Sequence, residues 1–165
     1  MKIVGISPSF SKNIILQEEL SKYFSDIKLN LSGKRFIKEE LINYIGDADA
    51  IVVGLEIIDK EVLSACKNLK IISKYGVGLN NIDLEECKKK NIAIGWSGGV
   101  NKLSVAEMTL GYMLMLSRNL FVTSNQLKKG QWNKSGGFQL TNKKIGLIVV
   151  GHIGKEVIRL LKPFN

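Results

Sequence analysis

The residues best placed to do chemistry are backbone amides beside one imidazole, rather than a cluster of acids and bases. Gly151-His152-Ile153-Gly154 follows a short apolar run, Ile145 to Val150, two-thirds of it β-branched. Behind the turn, Ile153, Val157, Leu160 and Leu161 share one stripe, and Lys155, Glu156, Arg159 and Lys162 share the other. Strand, glycine turn and helix, in that order, open a dinucleotide fold. The pyrophosphate rests on the helix's first free N–H groups, which carry partial positive charge. The fingerprint of such a turn is Gly-x-Gly-x-x-Gly, and its first place here holds Val149, whose Cβ obstructs a tight turn. The acidic residue for the ribose belongs about 20 residues further on, past Asn165. The expectation is a nucleotide site begun and not completed. His152 is the only histidine and reads as an exposed helix-start residue with nothing beside it to tune it. Glu107 reads as a structural carboxylate. Cys66 and Cys87 have no metal-ligand spacing and read as reduced thiols, so no metal site is expected.

The elements that must position these residues alternate regularly. Apolar strands are expected at 2–6, 26–31, 50–54, 69–73 and 92–96. Helices are expected at 11–24 with Ser11 as cap, at 38–45, at 59–68 and at 82–90 with Asn81 or Asp83 as cap. Five alternations of this kind predict an α/β fold, a parallel sheet covered on both faces with right-handed crossovers. Ligands then bind at the carboxyl ends of the strands, near a switch point. That singles out the loops Ser7–Phe10, Gly54–Ile57, Tyr75–Asn80 and Ser97–Asn101. Ser97-Gly98-Gly99 marks a boundary and a hinge, giving domains 1–98 and 99–165. Ser104 is expected to cap a helix from Val105 to Leu120 that is apolar almost all round and must be buried on several sides. Residues 121–144 read as a polar connector with Gln126–Lys129 helical, anchored by Trp132 and Phe138.

Composition bounds the partners. The chain has 165 residues and a net charge of +9. Its lysines are dispersed over helix faces and turns without interleaved aromatics, so they read as a solvated surface rather than a nucleic-acid footprint. No stretch approaches the ~18 apolar residues of a membrane span. The amino terminus does not read as a signal peptide, and the expected compartment is the cytoplasm.

Four segments, in order, carry a family resemblance: KYGVGLNNIDLEECKKKNI, SGGVNKLSVAEMTLGYMLMLSRNL, GQWN and KIGLIVVGHIGKEVIRLLKPF. Together they resemble the D-isomer-specific 2-hydroxyacid dehydrogenases, phosphoglycerate dehydrogenase-like in flavour. The resemblance implies a flavodoxin-like parallel-sheet substrate domain followed by the first β-turn-α of a Rossmann nucleotide domain. It implies that the amides of Gly76, Val77 and Gly78 hold the substrate carboxylate, an arrangement that suits an anion nest, with Asn101 lining the cleft. It places Val77, Ser104, Gly151, His152, Ile153 and Gly154 against NAD. It assigns catalysis to an arginine, a glutamate and a histidine of a later segment, so this chain is expected to contain no catalytic residue. His152 stands where the family usually has Arg or Lys.

The expected function is therefore the N-terminal part of an NAD-dependent oxidoreductase acting on the CH-OH group of a 2-hydroxy acid. Alone it is expected to be inactive and to bind little cofactor. The alternative is a non-catalytic dimerising or partner-binding module derived from that family, pairing as a homodimer through Val105–Leu120.

Overall fold

The computed structural model describes residues 1–165. They fall into two compact units, Met1–Gly98 and Gly99–Asn165.

The first unit is built on five strands: β1 (Lys2–Gly5), β2 (Asp26–Leu29), β3 (Ala50–Val53), β4 (Ile71–Lys74) and β5 (Ala93–Gly95). All neighbours run parallel, in the order β2-β1-β3-β4-β5. The order reverses between β1 and β3, which is the switch point of a doubly wound sheet. Alternate residues face opposite sides. Val4, Ile6, Ile51, Val53 and Ile72 pack with Ile45, Val62 and Leu63 on one face. Ile3, Ala50 and Val52 pack with Phe10 on the other. All four residues of β3 are buried, as a central parallel strand requires. Each fully buried Ile or Val side chain contributes roughly 1.5–3 kcal/mol, so the sheet's centre is the most heavily stabilised part of the unit.

Five helices connect these strands: α1 (Pro8–Ser11), α2 (Ile14–Ser21), α3 (Lys38–Ile45), α4 (Lys60–Ala65) and α5 (Leu84–Lys89). Asp59 caps α4, accepting from the amides of Glu61 and Val62 at 3.1 Å each. The single helix expected at 11–24 is two. Ser7 caps the first, and Asn13 caps the second by accepting from Leu16 N at 3.2 Å. Ser11 is no cap: it is buried, donates to Gly5 O and accepts from Asn30 N, both at 3.1 Å. Asp83, and not Asn81, caps α5.

The second unit is helical: α6 (Lys102–Ser117), α7 (Leu120–Lys128) and α8 (His152–Leu161), with a closing 3₁₀ turn at Lys162–Phe164. α6 packs along α8, and Glu156 bonds both Lys102 (3.2 Å) and Arg159 (2.7 Å). The expected Val105–Leu120 helix is shifted. It begins at Lys102, so Ser104 lies inside its first turn and does not cap it, and it stops at Ser117. It stops there because Asn119 is left-handed (φ +52°) and the connector captures the helix end. Phe138 N donates to Ser117 O at 2.8 Å, and Arg118 Nε donates to Gly136 O at 3.0 Å. Of the connector expected at 121–144, residues 121–128 are helical in α7, which begins at Leu120, so the helix expected only at Gln126–Lys129 starts earlier.

The strand expected at Ile145–Val150 does not form. Those residues are in no ladder, and Ile148 and Val149 are 96% and 85% exposed. β-branched composition favours a strand only where a neighbour supplies hydrogen bonds, and the second unit contains no other strand. The turn and the helix after it are present.

Candidate functional site

At the carboxyl end of β4 the chain enters Gly76-Val77-Gly78. Gly76 has φ +142°, a conformation that side chains oppose, and Gly76 and Gly78 are exposed. The loop is fastened from two directions. Trp96 Nε1, just past β5, donates to Val77 O at 2.7 Å. On the other side, Asn81 donates to Glu56 O at 2.6 Å and to Gly54 O at 3.2 Å. It also accepts from Lys74 Nζ at 2.7 Å, and Lys74 donates in turn to Gly54 O. A parallel bridge between Ile58 and Ile82 completes the junction. The loops after β3 and β4 are thus one hydrogen-bonded assembly. Burial pulls the Lys74 ammonium below its usual range, and the nearby Glu56 carboxylate opposes that shift. Exposed amides on a fixed turn can receive an anion without rearranging.

Beside this loop, a groove of about 900 Å³ opens at the β1/β3 switch. The loops Ser7–Ser9 and Gly54–Ile57 and residue Tyr75 line it. These belong to the loops singled out from the strand pattern. The opposite wall, Arg35 to Lys38, comes from the β2–α3 connection and was not anticipated. Nor were the roles of Lys74 and Asn81. Lys74 lies just past the strand expected at 69–73, and its only sequence cue is its place two residues before a glycine loop.

In the second unit, Gly151 is the N-cap of α8 and His152 its first residue. Ile153 is half-buried and Gly154 buried. A Cβ on Gly154 would lie 3.1 Å from Val149 O, whereas one on Gly151 would meet nothing within 4 Å. The turn is therefore packed on its inner side and open on its outer side, as a pyrophosphate cradle must be. Val149, at the fingerprint's first glycine place, has φ +67°. The turn thus takes the backbone shape that a glycine accepts and imposes it on a valine. The His152 ring packs on Gly99, where an added Cβ would come 3.0 Å from it. Asn101 caps α6 without a side-chain bond, and Ser104 is exposed in its first turn. The residues expected to hold ligand are therefore grouped as Gly76–Gly78 in one unit and as the α6 and α8 amino ends in the other. No group of three or more His, Cys, Asp or Glu side chains could hold a metal ion, and no helix is long and apolar enough to cross a membrane.

Comparison with known proteins adds the following. Residues 10–153 match the catalytic-domain model of the D-isomer specific 2-hydroxyacid dehydrogenases. A hydroxypyruvate reductase of Thermotoga maritima is 40% identical over 106 residues, which are 63% of this chain and 35% of that protein. A D-3-phosphoglycerate dehydrogenase of Methanocaldococcus jannaschii is 37% identical over 106 residues, 63% of this chain and 20% of that protein. The crystal structure of an NAD⁺-bound 3-phosphoglycerate dehydrogenase from Entamoeba histolytica superposes with a TM-score of 0.78 at 32% identity. That match covers 99% of this chain and 51% of the other, so the chain spans about half the length of that structure and less of the curated relatives.

Proposed function

Because the chain belongs to the D-isomer specific 2-hydroxyacid dehydrogenase family, we propose that it supplies the acid-holding half of such an enzyme and the opening of its coenzyme half. The observation that carries this reading is the glycine loop at the end of β4, held open and pinned by Trp96 and Asn81. Its amides would receive the carboxylate of a 2-hydroxy or 2-keto acid. Val77 would border the nicotinamide end of NAD, and Asn101 and Ser104 the cleft. Gly151, His152, Ile153 and Gly154 would lie along the pyrophosphate. NAD, when bound, supplies the hydride acceptor. The residues named here bind and orient, and none of them moves the proton. The arginine, glutamate and histidine that the family resemblance assigns to the reaction are not among these residues. The isolated chain is expected to show no NADH oxidation with 2-keto acids. Clear, protein-dependent loss of NADH absorbance would overturn that expectation. Titration of the chain with 2-keto acids should perturb the Gly76–Gly78 amides, and their silence at saturating acid would remove the binding reading.

A second reading is favoured by one observation. Met108, Tyr112 and Leu116, spaced four apart on α6, are exposed, as are Phe121 and Val122 on α7. An apolar stripe of this kind marks an association surface. It supports a homodimer formed through α6, in which the chain acts as a pairing module. Light scattering should then report twice the 18.3 kDa chain mass, and a well-behaved monomer at high concentration would dismiss it.

A further inference from the structure

We infer that the groove at the β1/β3 switch is a subsite for the far end of a 2-oxo or 2-hydroxy acid longer than three carbons, one whose apolar chain ends in a second carboxylate met by Arg35. The inference rests on the reading that the Gly76–Gly78 amides take the reacting carboxylate.

Four observations carry it. The groove's volume of about 900 Å³ lies near the top of the ~300–1,000 Å³ range of ligand pockets, more than a two- or three-carbon acid requires. It adjoins the glycine loop directly, because Tyr75, on its wall, is the residue before Gly76. Part of its lining is apolar, from Phe36, Leu55 and Ile57, and Leu55 is 79% exposed. Such surface gains by taking an apolar chain. Last, one of its two cations is outside any ion pair, and its Glu56 carboxylate already lies near the Lys74 ammonium. Lys38 is held by Asp59 and Glu61 at 2.7 and 2.5 Å, and Glu56 accepts from Gly54 N at 2.7 Å. Arg35 lines the groove and is in no ion pair. One free guanidinium matches one carboxylate in a two-pronged bond. A phosphate dianion would leave a charge uncompensated beside apolar walls.

The test is an amide-resolved NMR titration of the isotopically labelled 165-residue chain with 2-oxoadipate, 2-oxohexanoate and inorganic phosphate. The first two share the 2-oxo acid head and the chain length, and only the first has a distal carboxylate. 2-Oxoadipate should bind about tenfold more tightly than 2-oxohexanoate and shift amides at residues 35–38 and 54–57. Arg35→Ala, at an exposed position, should erase the preference, and Arg35→Lys should restore only part of it. Equal affinities in the unaltered chain, or a preference that survives in R35A, would overturn the inference. So would shifts confined to Gly76–Gly78, which would leave the carboxylate-loop reading intact. Shifts at 35–38 with Gly76–Gly78 unmoved would instead sink that reading and keep the groove. Silence at every position removes both. Phosphate binding at Arg35 as tight as 2-oxoadipate would make it a general anion patch and refute the carboxylate assignment.

Discussion

Asn81→Ala is the most informative single change in the first unit. The Asn81 amide makes three bonds: two to the Gly54 and Glu56 carbonyls and one from the Lys74 ammonium. Neutral bonds contribute about 1 kcal/mol each, and one to a charged group about 1.5–3, so the sum reaches roughly 4 kcal/mol. The site is half-buried, and water will replace part of what is lost, so the expected cost is about 2 kcal/mol. Asn81→Asp is a sharper control. It keeps an acceptor for Lys74 but sets a carboxylate against two carbonyls, so it should be no more stable than the alanine variant. The measurement is urea unfolding followed by Trp96 fluorescence, with Trp132→Phe leaving Trp96 as the only tryptophan. The denaturant slope should stay constant, and hydrogen exchange at the Ile58 amide, which donates to Asn81 O, should quicken as the two loops come apart. A loss below about 0.5 kcal/mol, the range of ordinary surface changes, would refute the claim that this side chain fastens the two loops together. So would a well-tolerated aspartate.

Three further outcomes are expected. Gly76→Ala places a side chain at φ +142° and should cost roughly 1–3 kcal/mol in the same unfolding assay, whereas Gly78→Ala should cost less, since its nearest neighbour is the tip of the flexible Asn80 side chain. Arg159, then Lys102, hold the Glu156 carboxyl below its usual 4.5. Its contribution is therefore complete above pH 4.5 and lost as pH falls through the lower folded value. Helical circular dichroism of the native chain should decline more steeply on acidification below 4.5 than that of Glu156→Gln, and identical acid profiles would contradict this. Val149→Gly removes a left-handed penalty of roughly 1–2 kcal/mol and incurs about 0.5–1 in chain entropy. A rise of several degrees in the melting temperature of the second unit should follow, with no rise for Val149→Ala, and a lower melting temperature for the glycine variant would show that the valine is unstrained.

The centre of the sheet was legible in the sequence because β3 is covered on both faces and so must be apolar along its whole length, as Ala50 to Val53 are. Helix breaks were less legible. Ser11 and Asn13 are both good caps by residue type, and only the demand of Gly5 O and Asn30 N for the Ser11 hydroxyl decides between them. Ile145–Val150 has the composition of a strand, but pairing is a property of two segments and cannot be read from one. For the site, the glycine loops stood out because glycine has few other reasons to cluster. Lys74 did not, because it joins Gly54, 20 residues back in the chain, and Arg35 did not, because only the fold brings it to the groove; nothing local distinguishes either from the other surface cations.

The strand order also bears on how this protein is made. β1 lies between β2 and β3, and its register with β3 joins Ile3 to Ala50. At about 5–20 residues per second on the ribosome, the first strand emerges several seconds before its second partner exists. Because every pair in this sheet is parallel, none can zip from a tight hairpin. The nascent β1 therefore spends those seconds with one or both of its hydrogen-bonding edges unpaired, an interval in which chaperone capture or faster elongation through codons 6–50 would raise the yield of folded chain.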